Sequence, residues 1–220
     1  MKKTFVNFVL GAALLGLTAC SKTSSAQETV KNQANETPAM GAVYKAVGVP
    51  SGTYTMDKTH GYVTFSYSHF GFSNPQLRFR DIDAVLDLDA DKPESSNLTV
   101  MIDAKSIDSG VDVFDEHLNS SDWFDTAKYG EISFKSTSFT RASATTGSIA
   151  GDLTIMGITK PLTLDVTLLV AKPHPFKKVP ALGIEARGML KRSDFGLGKY
   201  APGVSDQVDL FISAEFLKDK

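Results

Sequence analysis

The sequence predicts an all-β protein, an antiparallel barrel of about eight strands carrying one short helical insertion. Three observations predict it. From Tyr54 onward the apolar residues recur every second position, which gives each segment one apolar and one polar face. Only the stretch around residues 113–128 departs from that period towards a helical one. With so few helices to cover a one-sided sheet, closure on itself is the simplest way to bury the apolar face, and it also removes the edges.

The strands follow in order. In "HGYVTFSYSHF", Val63, Phe65, Tyr67 and His69 share one face, and Tyr62, Thr64, Ser66 and Ser68 the other. "DIDAVLDLD" turns Ile82, Ala84, Leu86 and Leu88 inward, and "NLTVMIDA" does so with Leu98, Val100, Ile102 and Ala104. "GEISFKSTSF" begins in the same way with Ile132 and Phe134, after which serine occupies the inner positions. "GDLTIMGITKP" reads as a hairpin with Leu153 and Ile155 inward and Gly157 in its turn. Leu162, Leu164, Val166 and Leu168 form the inner set of "KPLTLDVTLL". Leu182, Ile184, Ala186 and Leu190 do so in "ALGIEARGML", and Val208, Leu210, Ile212 and Ala214 in "DQVDLFISAEF". A barrel of this size, of lipocalin type, holds one small ligand or fills itself with side chains.

The interruption, "DEHLNSSDWFDTAKYGEISFKST", spans residues 115–137. Asp122 stands where it would cap a short helix beginning at Trp123, with Asp125 in the first turn. Phe114 and Leu118, four apart, pack on one face, and the whole corner is expected to plug one mouth of the barrel. His117 has no second histidine at the spacing of a helical metal pair. The four histidines, 60, 69, 117 and 174, form no metal motif, and the chain has no nucleophile elbow, P-loop or dinucleotide fingerprint. No metal, cofactor or catalytic residue is therefore assigned.

The N-terminus reads as a lipoprotein signal peptide over residues 1–19. Lys2 and Lys3 precede an apolar run from Phe5 to Leu17, too short to span a bilayer, that ends in Leu17-Thr18-Ala19-Cys20. Those four residues resemble a bacterial lipobox, so Cys20, the single cysteine, is expected to be lipidated and Ser21 to favour the outer membrane; the alternative is ordinary cleavage after Ala19, which leaves a free thiol. Residues 20–50 are polar and poor in large apolar side chains, as in a flexible tether of about 30 Å r.m.s. span. The barrel domain then occupies residues 51–220. Removing residues 1–19 takes away Lys2 and Lys3 and no acid, so 21 basic residues remain against 25 acidic ones, a formal net charge of −4. Without a basic stripe, nucleic acid is excluded as a partner, and one cysteine supplies no disulfide framework.

"YTMDKTHGYVTFSYSHFGFSNPQLRF" resembles the opening of the YceI-like family. "SIDSG", "HLNSSDWFDTAKYGEISFKST", "GDLTIMGITKPLTL" and "RSDFGLG" match its later motifs in the same order. The similarity runs from about Tyr54 to Glu215; Gly130 stands where the family usually has Pro, and Leu77 where Gly is common. The resemblance implies a lipocalin-like barrel that binds long isoprenoid or other lipid-like molecules. Members are typically periplasmic, and some are linked to quinones or to envelope stress. It supplies no catalytic residues.

The expectation is a non-enzymatic protein on the periplasmic side of a bacterial envelope, carrying an isoprenoid or similar lipid in its interior. The expected tunnel lining is Val63, Phe65, Tyr67, His69, Phe79, Leu86, Val100, Ile102, Phe134, Leu153, Ile155, Leu164, Val166, Ile184, Val208, Leu210 and Ile212. His69, at the end of its strand, is placed to meet a ligand head group, whereas Arg192 and Asp194 are expected to fix a turn. The alternatives are an enzyme acting on a lipid-like substrate through His69 or His117, and a structural envelope lipoprotein with a filled barrel.

Overall fold

In the computed structural model, residues 47–220 are described; the expected signal peptide, Cys20 and most of the expected tether lie outside them. Ten strands and one α-helix follow in chain order: β1 (Gly52–Ser66), β2 (Gln76–Phe79), β3 (Ile82–Leu88), β4 (Asn97–Asp103), β5 (Ile107–Asp108), α1 (Asp112–Asn119), β6 (Glu131–Arg141), β7 (Thr146–Ile155), β8 (Ile158–Pro173), β9 (Pro180–Lys191) and β10 (Gln207–Lys218). Every pairing is antiparallel. Strands β1, β3, β4, β6, β7, β8, β9 and β10 close into an eight-stranded barrel through the β1–β10 pairing. The short β2 and β5 extend the wall along the second half of β1, where Val63↔Phe79 and Phe65↔Leu77 pair.

The turns follow local chemistry. Met156 and Gly157 both have positive φ (51° and 74°), as a two-residue hairpin turn between twisted strands requires, and Ile155↔Ile158 close it. Gly151 serves a different need. The Phe134 ring lies across it, and a Cβ there would sit 2.4 Å from Phe134 Cζ.

Three readings of the sequence change. A bulge between Ser136 and Ser138 shifts the parity of β6, so Ser136 still follows Phe134 on the inner face but Phe139, paired with the inward Ile149, replaces Ser138 there. The helix lies upstream of its expected start. Val111 precedes it without a side-chain cap, and the Asp115 carboxylate accepts the Ser109 N–H at 2.8 Å. Asp122 caps nothing; its carboxylate accepts from Lys199 Nζ at 3.1 Å. Residues 120–129 are successive turns, with Asp125 at a φ of 44° that no helix accommodates. Finally, Val47–Pro50, assigned to the tether, pack on the barrel. Val49 is buried, Val47 N–H donates to Ala90 O at 3.1 Å, and Pro50 O accepts from Tyr54 Oη at 2.6 Å.

One end of the barrel is solid. Tyr54 is fully buried there, and Leu88, Ala90 and Leu182 are buried with it in the core. The other end is not filled in this way, and the functional geometry lies there.

Candidate functional site: an apolar cavity with one polar end

Alternation turns one row of apolar side chains from each barrel strand inward, and above the Tyr54 plug these rows do not meet. They enclose a cavity of about 400 Å³ whose wall is almost wholly aliphatic and aromatic. This volume falls within the range typical of small-molecule sites, which are mostly apolar with a few placed polar groups. Phe65 and Phe79 pack at 5.6 Å between centroids, and Phe79 meets Phe124 edge-on at 6.1 Å, so β1, β2 and the corner after α1 form one aromatic wall.

The polar groups gather at one end. There Tyr67, His69, His117, Trp123, Arg192 and Tyr200 line the cavity. His69 lies beyond the end of β1, tied by bridges to Ser73 and Val204. Trp123 Nε1–H donates to His117 Nε2 at 2.7 Å, which makes that nitrogen the acceptor and places the proton of the neutral ring on Nδ1. Trp123 also packs 6.2 Å from Tyr200.

Arg192 opens a short 3₁₀ turn after β9 and is buried. It donates through Nε to Ser205 O at 2.8 Å, through Nη2 to Val204 O at 2.7 Å and through Nη1 to Leu197 O. Its guanidinium thus ties together the loop that follows, and its Cζ lies 5.9 Å over the Trp123 ring. Burial lowers the Arg192 pKa from its ordinary value, opposed by the charge of Asp206. Burial raises that of Tyr67, opposed by the positive charge of Arg192. Both groups keep their normal protonation at neutral pH: a cation and a neutral phenol.

The described lining contains no carboxylate, serine, threonine or cysteine. What this arrangement can do chemically is hold a largely apolar molecule and present donors and positive potential at one end.

A family model described as a YceI-like domain matches residues 54–216. The chain belongs to the YceI-like family. It is 34% identical to Protein YceI of Escherichia coli O6:H1 over 180 residues, covering 81% of this chain and 93% of that relative. Among solved structures it resembles Burkholderia cenocepacia BcnA, with a TM-score of 0.66 and 22% identity over 73% of this chain and 98% of that one. A polyisoprenoid binding domain from Saccharophagus degradans, implicated in plant cell wall breakdown, superposes with a TM-score of 0.56 at 15% identity, over 76% of this chain and 98% of that one. These two structural likenesses bear on the YceI-like fold alone.

All the residues expected to line the interior do line the cavity, except Leu86. Leu86 shares their inward face, but it pairs with Tyr54 at the level of the solid end and packs there. Sequence periodicity gives the face of a strand but not the height along the barrel, and height is what separates cavity from plug. The reading also missed as lining Phe114 on α1 and, from irregular segments, Trp123, Phe124, Phe195, Leu197, Tyr200 and Val204. A period-two pattern does not detect loop residues. The available signal was the clustering of aromatic residues in "DWFDTAKY" and "DFGLGKY". Arg192 was expected to fix a turn, and it does so while also lining the cavity.

Proposed function

We propose that this YceI-like barrel binds and carries one elongated, water-insoluble molecule, an isoprenoid or a comparable lipid. Its tail occupies the apolar interior and its oxygen-bearing head group the end beside Tyr67, His69 and Arg192. The observation that carries this reading is the cavity itself: a sizeable apolar space with its few polar groups confined to one end. Transfer of each methylene from water to such a space contributes about 0.8 kcal/mol, so a long chain gains affinity along its length. The name of the Saccharophagus degradans neighbour supports the ligand class.

In this reading the protein is a carrier and no enzyme, because the cavity wall offers histidines without a carboxylate or nucleophile beside them. The lipobox-like Leu17-Thr18-Ala19-Cys20 supports a position on the periplasmic side of a bacterial envelope, with anchoring through Cys20 and sorting to the outer membrane by Ser21. Several acyl chains hold a protein firmly where one does not. Native mass spectrometry of protein extracted without organic solvent tests the proposal. A retained hydrophobic molecule at one per chain is the expected result. Protein that emerges empty and takes up no long-chain isoprenoid would overturn it.

A further inference from the structure

We propose that Asp57, His60 and Glu215 form a site for a divalent first-row transition metal ion of the zinc type, on the barrel wall and separate from the lipid cavity. The site arises from a fault in the sheet. Strands β1 and β10 pair in register down to Met56↔Phe216 and resume at Gly61↔Ala214, so residues 57–60 stand opposite Glu215 alone. Bulges of this kind re-aim side chains and end local pairing. Here the bulge brings one ligand atom each from Asp57, His60 and Glu215 within 4.8 Å of one another. None of the three lines the cavity.

The geometry suits a metal ion. Zinc bonds to nitrogen and oxygen of about 2.0–2.2 Å place neighbouring ligand atoms roughly 3.4 Å apart. His60 Nδ1 and Asp57 Oδ2 already stand at 3.2 Å. Asp57 is a fixed ligand: it is buried, and its Oδ1 accepts from Thr59 N at 3.1 Å and Thr59 Oγ1 at 2.7 Å, which leaves Oδ2 facing the cluster. The Lys177 ammonium, with Thr59 and His60, holds its carboxyl well below the usual carboxylate range. His60, hydrogen-bonded through Nδ1 to Thr59 and Asp57, and Glu215 are partly exposed and have room to close the remaining distance.

His174 stands behind Glu215, its Nε2 3.7 Å from Oε2. Its Nδ1 faces the backbone N–H groups of Phe176 and Lys177, so the neutral ring carries its proton on Nε2. It therefore orients Glu215 as an outer partner rather than ligating. One imidazole and two carboxylates suit zinc, manganese or iron, with water completing the coordination.

The simpler reading is a structural ion pair. Lys177 Nζ, at the tip of the β8–β9 hairpin, lies 2.6 Å from Asp57 Oδ2 and pins that tip to β1. The two readings separate cleanly, because a metal must displace this ammonium whereas a structural pair needs no metal. The test is calorimetric titration of Zn²⁺ into the full-length chain carrying Cys20→Ser, so that its one thiol cannot compete. One equivalent should bind, at least about tenfold more weakly in His60→Ala and in Glu215→Gln. Lys177→Met should bind severalfold more tightly. No saturable binding at 100 µM Zn²⁺ (about the weakest affinity of interest), wild-type affinity in either ligand variant, or no gain in Lys177→Met would each overturn the site. His60 and Glu215 are exposed enough that their variants should fold, and circular dichroism of each verifies it.

Discussion

Trp123 donates its indole N–H to His117 Nε2 at 2.7 Å, and both rings border the apolar cavity. The bond links the corner at residues 120–129 to helix α1, and the cavity end is built on this link. Trp123 is also the single tryptophan of the chain. Its fluorescence therefore reports the cavity end alone. Adding a long-chain isoprenoid should change the emission intensity or maximum in a saturable way, at one ligand per chain. An emission spectrum indifferent to ligands that bind by mass spectrometry would place the ligand away from this end.

The height of the cavity is tested by filling it. Val100 on β4 lines the wall opposite Phe134 in register, well away from the polar end. Val100→Trp keeps the face apolar and adds volume. Overpacking a filled core costs about 1–3 kcal/mol, whereas a hollow one absorbs much of the extra bulk. The expected outcome is a folded protein, destabilised by less than that range in urea titration, whose isoprenoid uptake is lost or strongly reduced. Unaltered uptake would mean that the ligand does not pass this level.

The contrast between Leu86 and Val100 shows what was legible in the sequence. Both alternate inward on neighbouring strands and were given the same role, yet one packs against the solid end and the other lines the cavity. Alternation encodes only which face is buried, so the barrel, most of its strands and the strand-borne part of the wall were readable. The level of the plug was not, because it depends on how far side chains such as the fully buried Tyr54 fill the interior, which alternation does not encode. Trp123 illustrates the other gap. Asp122 before an aromatic pair has the composition of a helix cap, but the positive φ of Asp125 and the pull of Trp123 and Phe124 into the cavity favour turns. Such tertiary decisions leave no local period. The Asp57–His60–Glu215 cluster escaped for a similar reason, since a bulge joins residues far apart in the chain.

Arg192 should matter to stability out of proportion to its size. Its guanidinium serves three carbonyls, those of Leu197, Val204 and Ser205. Arg192→Lys keeps the charge but not the planar fork, and Arg192→Met removes every donor. Each net hydrogen bond is worth about 1 kcal/mol and buried acceptors left unpaired cost more, so Arg192→Met should lose roughly 3 kcal/mol or more. Chemical denaturation should show the order wild type, Lys, Met. A Met variant as stable as wild type would mean that the loop carbonyls find other donors.

The proposed anchoring rests on Cys20, so Cys20→Ala is expected to abolish acylation. The processed variant should leave the membrane fraction for the soluble periplasmic fraction. Wild-type pelleting of processed Cys20→Ala protein would remove the lipid anchor from the reading.

The carrier reading makes its sharpest claim about His69 and His117, the only imidazoles among the described cavity-lining residues. In a carrier, His117 is a hydrogen-bond acceptor for Trp123, and His69 at most orients a head group. Gln offers both a donor and an acceptor but does not titrate in that range. His117→Gln should therefore leave binding intact and change stability by about 1 kcal/mol or less. His69→Gln should shift affinity for a ligand with a polar head by about the same amount. A general acid or base behaves differently, since its loss typically lowers a rate by about 10²–10⁴-fold. Incubating wild type and both variants with the co-purified lipid, and following the lipid by mass, separates the two cases. An unchanged lipid with all three proteins is the expected outcome. Turnover by wild type that disappears in either variant would make that histidine catalytic and the protein an enzyme.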